Sequence, residues 1–198
     1  MELIVISHPE KIEGEALVIN NLLASGVQLF HLRKPTYSKK NLIDLILEIQ
    51  PQHRSKLVLH DYHSLAGKIG THRIHFSEAR RLYTTDHELK QWRAKKFILS
   101  TSIHKMEDYS TLSANFDYTF YGPVFESISK QGYAPPPGNI PPLPELHNRP
   151  VKIIAVGGIS SDKIPLVRKA QYDGAAMLGA IWQDPARAIE TYKSISRA

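Results

Sequence analysis

The sequence predicts an α/β fold of the (β/α)8 TIM-barrel type, one domain spanning residues 1–198, and three observations carry that prediction. Eight short apolar runs recur along the chain with helix-like segments between them. The runs are rich in Val, Ile, Leu and Phe and close on polar or glycine-bearing turns, the composition of strands buried on both faces of a parallel sheet. The adjacent glycines Gly157-Gly158 follow the seventh run, where barrels recurrently build a phosphate site. An open doubly wound sheet would instead want a glycine-rich loop after an early strand, and ISHPEKIEG, after the first run, carries no such loop.

The elements follow in order. LIVIS (3–7) leads into GEALVINNLLASG, whose apolar residues fall at helical spacing and which Gly26 stops. VQLFHL (27–32) precedes SKKNLIDLILEIQ, a second helical pattern that Ser38 can cap. KLVLH (56–60), RIHF (73–76), KFILS (96–100) and DYTFYG (117–122) are the third to sixth runs, and VKIIAV (151–156) and DGAAML (173–178) the last two. Strand and helix alternate throughout. The exception is GPVFESISKQGYAPPPGNIPPLPELHNRP (122–150) after strand six, whose prolines prevent regular structure and whose length exceeds an ordinary connection. It reads as a lid or binding loop.

A hydrophobic content of 42% with 22% charged residues is that of a soluble globular protein. The absence of cysteine excludes a disulfide framework, a thiolate zinc site and a cysteine nucleophile, so any metal would need carboxylate or imidazole. The start MELIVISHPEKIEGE lacks the marks of a secretory signal and no later run is long enough to span a bilayer, so the expectation is a cytoplasmic protein without a membrane partner. A net charge of +6 and a pI near 9.4 invite a nucleic-acid reading. Yet HLRK, EARR and RAKK are separated and not interleaved with stacking aromatics, which points to a solvated basic surface, or attraction of a small phosphorylated substrate, and no nucleic acid.

In a barrel the active site sits at the carboxyl ends of the strands. The residues that fall there are His31 and Arg33 after strand two, His60 and Asp61 after three, His75 after four, and Ser102 and His104 after five. Ser127, Ser129 and Lys130 follow strand six, Gly157 and Gly158 strand seven, and Leu178 and Gly179 end strand eight. Singly each has a structural explanation: Arg33 a surface arginine, Asp61 a helix cap, His75 a satisfied core histidine, Lys130 a solvated loop lysine. Their joint placement at one rim points to a site. Main-chain N–H groups at Gly158 and Gly179, each beside a helix start, can donate to a phosphate. His60, Asp61, His63, His72 and His75 also lie within a short span that can ligate zinc or another transition metal. Their spacing matches no helical His-x-x-x-His pair, and alternation along strand four turns His72 away from His75.

YGPVFESISKQG resembles the GP-V-F-x-T-x-x-K loop, and IIAVGGIS with DGAAMLGAI the paired phosphate-binding segments, of the thiamin phosphate synthase and TenI family. HLRKPTYS, LVLHDY and LSTSIHKMED align with three more of its motifs in the right order, so the resemblance covers nearly the whole chain. It implies an enzyme of thiamin biosynthesis that binds a phosphorylated thiazole. The synthases hold a pyrimidine diphosphate with a Gln-x-Arg-x-Lys clamp, which here reads His31, Arg33 and Pro35, so that only the arginine survives. Their Asn-Asp pair is His60-Asp61 here and retains one magnesium-binding carboxylate, while the second carboxylate position falls on Arg80, with Glu78 and Glu88 as nearby acids. The TenI branch needs no metal, and the resemblance implies that a histidine in a Ser-x-His segment moves a proton on a thiazole carboxylate phosphate. This sequence has Ser102-Ile103-His104, and imidazole titrates near neutral pH as that task requires.

The expected function is therefore a metal-independent thiazole tautomerase without cofactor. In it His104 is the acid/base, Arg33 and Lys130 meet substrate anions, and Gly158 and Gly179 hold the phosphate. Ser102, Ser127, Gly157 and Leu178 surround the substrate, with His31 and His60 accessory. The alternatives are a Mg²⁺-dependent synthase in which Asp61 holds the ion, and a non-catalytic binder of a thiamin precursor. Barrels of this type often pair, so a homodimer is compatible with the sequence.

Overall fold

Eight parallel strands close into a ring in chain order: β1 (Glu2–Ile6), β2 (Leu29–Leu32), β3 (Leu57–Leu59), β4 (Arg73–Phe76), β5 (Ile98–Ile103), β6 (Tyr118–Tyr121), β7 (Lys152–Val156) and β8 (Gly174–Met177). This is a computed structural model, and it describes residues 1–126, 143 and 149–198. Pairing of Leu3 with Ala175 and Ile4 with Ala176 closes β8 onto β1. Each strand lies within or against one of the eight apolar runs. Most of the connection from 122 to 150 lies outside the described residues.

The helices outside the ring are α1 (Glu15–Ala24), α2 (Lys39–Glu48), α3 (Glu78–Tyr83), α4 (Asp86–Ala94), α5 (Ile164–Lys169), α6 (Gly179–Trp182) and α7 (Ala188–Arg197). Ser38 Oγ accepts from the Asn41 N–H and caps α2. Past the end of α1, Gly26 adopts φ 115° and Val27 N–H donates to Leu22 O at 3.2 Å, the bond of a Schellman stop. The expected alternation of strand and helix changes character after β3 and β5. There the chain winds as 3₁₀ turns over His63–Ile69 and Met106–Thr111. The first carries Gly67 and ends on Gly70 at φ 88°, residues that weaken an α-helix and turn the chain into β4.

Alternation along the strands sorts the core into two layers. Outward residues such as Phe30, Leu32, Ile74, Leu99 and Ile153 pack with Ile19, Leu22, Leu42 and Ile46 of the helices. Ile4, Ile6, Tyr118, Phe120, Ile154 and Ala176 fill the barrel interior. Among the described residues no helix is long and apolar enough to cross a membrane.

One buried ion pair fixes the segment that follows β2. Lys34 Nζ lies 2.5 Å from Glu15 Oε2 and donates to Glu10 O at 2.8 Å, with both charged side chains almost fully buried. Burial pushes the Glu15 carboxyl up and the Lys34 ammonium down, and their mutual attraction only partly reverses either shift. The pair therefore locates the α1 start against the β2 end rather than adding net stability. Lys34→Met alone strands a buried carboxylate and is expected to cost about 3–5 kcal/mol in urea denaturation, whereas Glu15→Leu/Lys34→Met together recover most of that loss.

Candidate functional site at the barrel mouth

Barrel interiors are ordinarily filled by layers of Val, Ile and Leu. Here several inward positions on β2, β4, β5 and β6, and the residue just past β3, carry imidazoles and hydroxyls instead. Tyr118 Oη shares a hydrogen bond with His31 Nε2 at 2.8 Å, and His31 Nδ1 shares one with His60 Nε2 at 2.9 Å. The His60 ring stacks on His75 with centroids 4.1 Å apart. His75 in turn engages Ser100 Oγ through Nδ1 at 2.9 Å and Ser102 Oγ through Nε2 at 3.0 Å. His31 and His75 are buried and His60 is half-buried at the mouth.

Burial, and then the neighbouring positive charges, push the His31 and His60 pKa values well below the ordinary 6.5. Burial, with smaller contributions from His63 and Arg33, brings His75 to about 3. His63 falls to about 4 through burial and the Arg80 charge. Its Nε2–H donates to the carbonyls of both His60 and His75, at 3.1 and 2.9 Å, and its Nδ1 is buried without a partner among the described residues. At neutral pH the cluster is a set of uncharged imidazoles.

Charge at the mouth comes from arginine. Arg33 is exposed, has no acidic partner among the described residues, and acts electrostatically on His60 and His75. Beside it a cavity of about 510 Å³ is lined by Lys34, Pro35, Asp61, His63, Arg80 and Trp92 among others. Asp61 is the single carboxylate of that lining, and Arg80 stands over the Phe76 ring in the same cavity. Glu78 lies near Arg81 and His104, and Glu88 closes a capping box with Thr85 at the start of α4. Mg²⁺ wants oxygen donors, and a guanidinium sharing the cavity with one carboxylate does not fit it.

His104 sits at the rim, about half exposed, and its Nδ1–H donates to Gly122 O at 2.8 Å. That bond fixes the tautomer and leaves the Nε2 lone pair free, 3.9 Å from Glu78 Oε2. Gly122 begins a segment, entered through a cis Gly122-Pro123 bond, that runs along the end of β7. Val124 N–H donates to Val156 O and Phe125 N–H to Gly157 O, at 2.9 and 3.2 Å. The glycine pair answers to this approach. Gly157 and Gly158 have φ of 97° and 63°, and a Cβ at Gly158 would meet Glu126 O at 2.2 Å.

The main-chain N–H groups of Gly158 and Gly179 have no acceptor among the described residues. Pairing of Val156 with Ala176 brings their two turns side by side, with Leu178 leading into α6. The helical pieces that follow are short, so donors rather than long helix dipoles define this corner. Ser127 and Lys130 lie outside the described residues. The Ser102 hydroxyl is held by His75. Ser100 and Tyr118 complete the histidine network, and their inward parity on β5 and β6 was their only signal in the sequence.

The family model described as thiamine monophosphate synthase matches residues 3–181. A thiamine-phosphate synthase of Leuconostoc citreum is 28% identical over 182 residues, covering 86% of this chain and 83% of its own. One from Lysinibacillus sphaericus is 26% identical over 204 residues, covering 97% and 91%. Among solved structures, thiamine phosphate pyrophosphorylase from Bacteroides thetaiotaomicron superposes with a TM-score of 0.75 at 21% identity, over 100% of this chain and 96% of that one, a likeness that shows the fold.

Two outcomes follow from this geometry. The unfolded chain binds protons that the buried histidines refuse between their folded pKa values and 6.5, so stability rises with pH across that window. The urea midpoint is expected to be flat from about pH 7 to 8 and to fall steadily below about pH 6.5; an unchanged midpoint at about pH 5 would contradict this. In the second test, Gly158→Ala meets both a left-handed backbone and Glu126 O, whereas Gly14, at φ 68°, has open space around it. Gly14→Ala should cost about 1 kcal/mol of unfolding free energy and Gly158→Ala well beyond that.

Proposed function

This chain belongs to the thiamine monophosphate synthase and TenI family, and from that premise we propose that it seats a phosphorylated thiazole at the barrel mouth and joins it to a pyrimidine diphosphate. The observation that carries the reading is the pair of N–H donors at Gly158 and Gly179, without an acceptor among the described residues, on neighbouring strand ends of a mouth where Arg33 has no acidic partner among those residues. The synthase names of the relatives favour coupling over tautomerisation.

In the coupling reaction the thiazole nitrogen donates its lone pair to the pyrimidine methylene carbon as the bond from that carbon to the diphosphate oxygen breaks, and diphosphate leaves with the electron pair. The glycine N–H groups would hold the thiazole phosphate and fix the direction of attack. Arg33 and Arg80, both exposed and in no ion pair among the described residues, would stabilise charge developing on the leaving group. The family resemblance implies Mg²⁺ for this chemistry, but the Asp61 and Arg80 cavity does not fit the ion, and no step here depends on it.

Metal-independent tautomerisation is the second reading, favoured by His104. With Nδ1 tied to Gly122 O, its Nε2 is the free base that proton movement on a thiazole carboxylate phosphate would use.

The purified protein should release diphosphate and form thiamin phosphate from the two substrates together and from neither alone, followed by mass spectrometry with Mg²⁺ and with chelator. Arg33→Met should lower kcat/KM by about 10²–10³, and His104→Ala should leave coupling nearly intact. Absence of coupling, combined with His104-dependent isomerisation of the thiazole carboxylate phosphate, would put the tautomerase first.

A further inference from the structure

His31, His60 and His75 come from three different strands or strand ends, yet one ring nitrogen of each lies within 4.8 Å of those of the other two. We propose that these three imidazoles form a binding site for a divalent transition-metal ion of the zinc class, with the fourth coordination position open toward the barrel mouth. The site differs in place and donor set from the carboxylate position at Asp61, and its chemistry is that of imidazole, which suits Zn²⁺, Co²⁺ and Ni²⁺ rather than Mg²⁺.

Three observations support it. Tetrahedral Zn²⁺ binds imidazole nitrogen at about 2.0–2.1 Å, which sets ligand nitrogens about 3.4 Å apart. The observed separations reach 4.8 Å, so the stacked His60 and His75 rings would turn for their nitrogens to converge on one ion. Ligating histidines almost always have their second nitrogen held by a fixed partner, and for two of the three rings that partner is already in place. His31 has Tyr118 Oη on Nε2, and His75 has Ser100 and Ser102 on its two nitrogens, so whichever turns to an ion leaves the other anchored. Finally, His60 is half-buried while the other two are buried, so the approach is from the mouth, where Arg33 could share an anionic fourth ligand.

Binding requires a tautomer change and no net chemistry. The proton now shared between His31 Nδ1 and His60 Nε2 moves so that both nitrogens present lone pairs. His31 then donates from Nε2 to Tyr118, and His60 carries its proton on Nδ1.

The test is uptake of metal by the full chain, read independently of either thiazole reaction. After treatment with chelator and dialysis, Co²⁺ is titrated and the visible d–d absorption of tetrahedral cobalt is followed, with Zn²⁺ titrated by calorimetry. One equivalent is expected in the parent protein and in His72→Asn, which alters an exposed histidine that packs on Phe97. His60→Ala should abolish the absorption. Tyr118→Phe, which keeps the ring and removes only the outer partner of His31, should weaken Zn²⁺ about 10- to 100-fold. His75→Ala can fail to fold, so His60→Ala and Tyr118→Phe decide the outcome, with far-UV circular dichroism confirming both. No uptake by the parent, or uptake untouched by His60→Ala, overturns the proposal and leaves the three rings as a hydrogen-bonded core.

Discussion

A closed barrel of eight strands leaves an interior that only side chains can fill, and this barrel fills one side of it with polar ones. The consequence is a network in which each bond crosses between strands. Tyr118 of β6 reaches across to His31 of β2, His31 meets His60 at the end of β3, His60 stacks on His75 of β4, and His75 is held by serines of β5. A buried polar group left unpaired costs about 1–3 kcal/mol, so the five strands are committed to one another at this level. Gly174, at the start of β8, answers to the close approach of its neighbouring strands: a Cβ there would meet Glu2 O at 2.6 Å and Ile154 Cδ1 at 2.7 Å.

This neutral layer shapes the electrostatics above it. Lys34 is cancelled by Glu15 beneath the surface and contributes little to the mouth. Arg33 and Arg80 form no ion pair among the described residues, and the nearest buried groups are imidazoles that refuse protons chiefly because they are buried, with the arginine charges adding to the effect. The mouth is thus positive without being crowded by competing internal carboxylates, a field that would draw the proposed phosphorylated ligands toward donors at Gly158 and Gly179.

Much of the fold was legible because strand burial and helix stops are local. Eight apolar runs became eight strands, and Ser38 and Gly26 bounded helices where their chemistry placed them. The glycine pair was located correctly, but its steric reason was hidden, since it depends on backbone at 122–126 pressing onto Gly157 and Gly158 from another part of the chain. The histidine cluster shows the same limit more sharply. Local spacing grouped His60, His63, His72 and His75 and left out His31. Strand register then brought His31 in, aimed His63 at two carbonyls, and turned His72 onto the outer Phe97. Alternation reveals which side of a strand faces inward, but the pairing of His75 with Ser100 across β4 and β5 is a property of the assembled sheet.

The same assembled geometry gives meaning to two departures from the family pattern that look unrelated in sequence. Pro35 stands where the resemblance places a clamp lysine, and Arg80 where it places a second carboxylate, and both line one cavity with Asp61. Exchanging a carboxylate for a guanidinium changes the local charge by as much as a bound divalent ion would. The arginine delivers that charge covalently, with a planar fork of donors suited to phosphate oxygens and without the cost of stripping water from Mg²⁺. Under the proposed coupling reaction, loss of the metal position and gain of the arginine would be a single electrostatic substitution, made in the cavity where a diphosphate would need it.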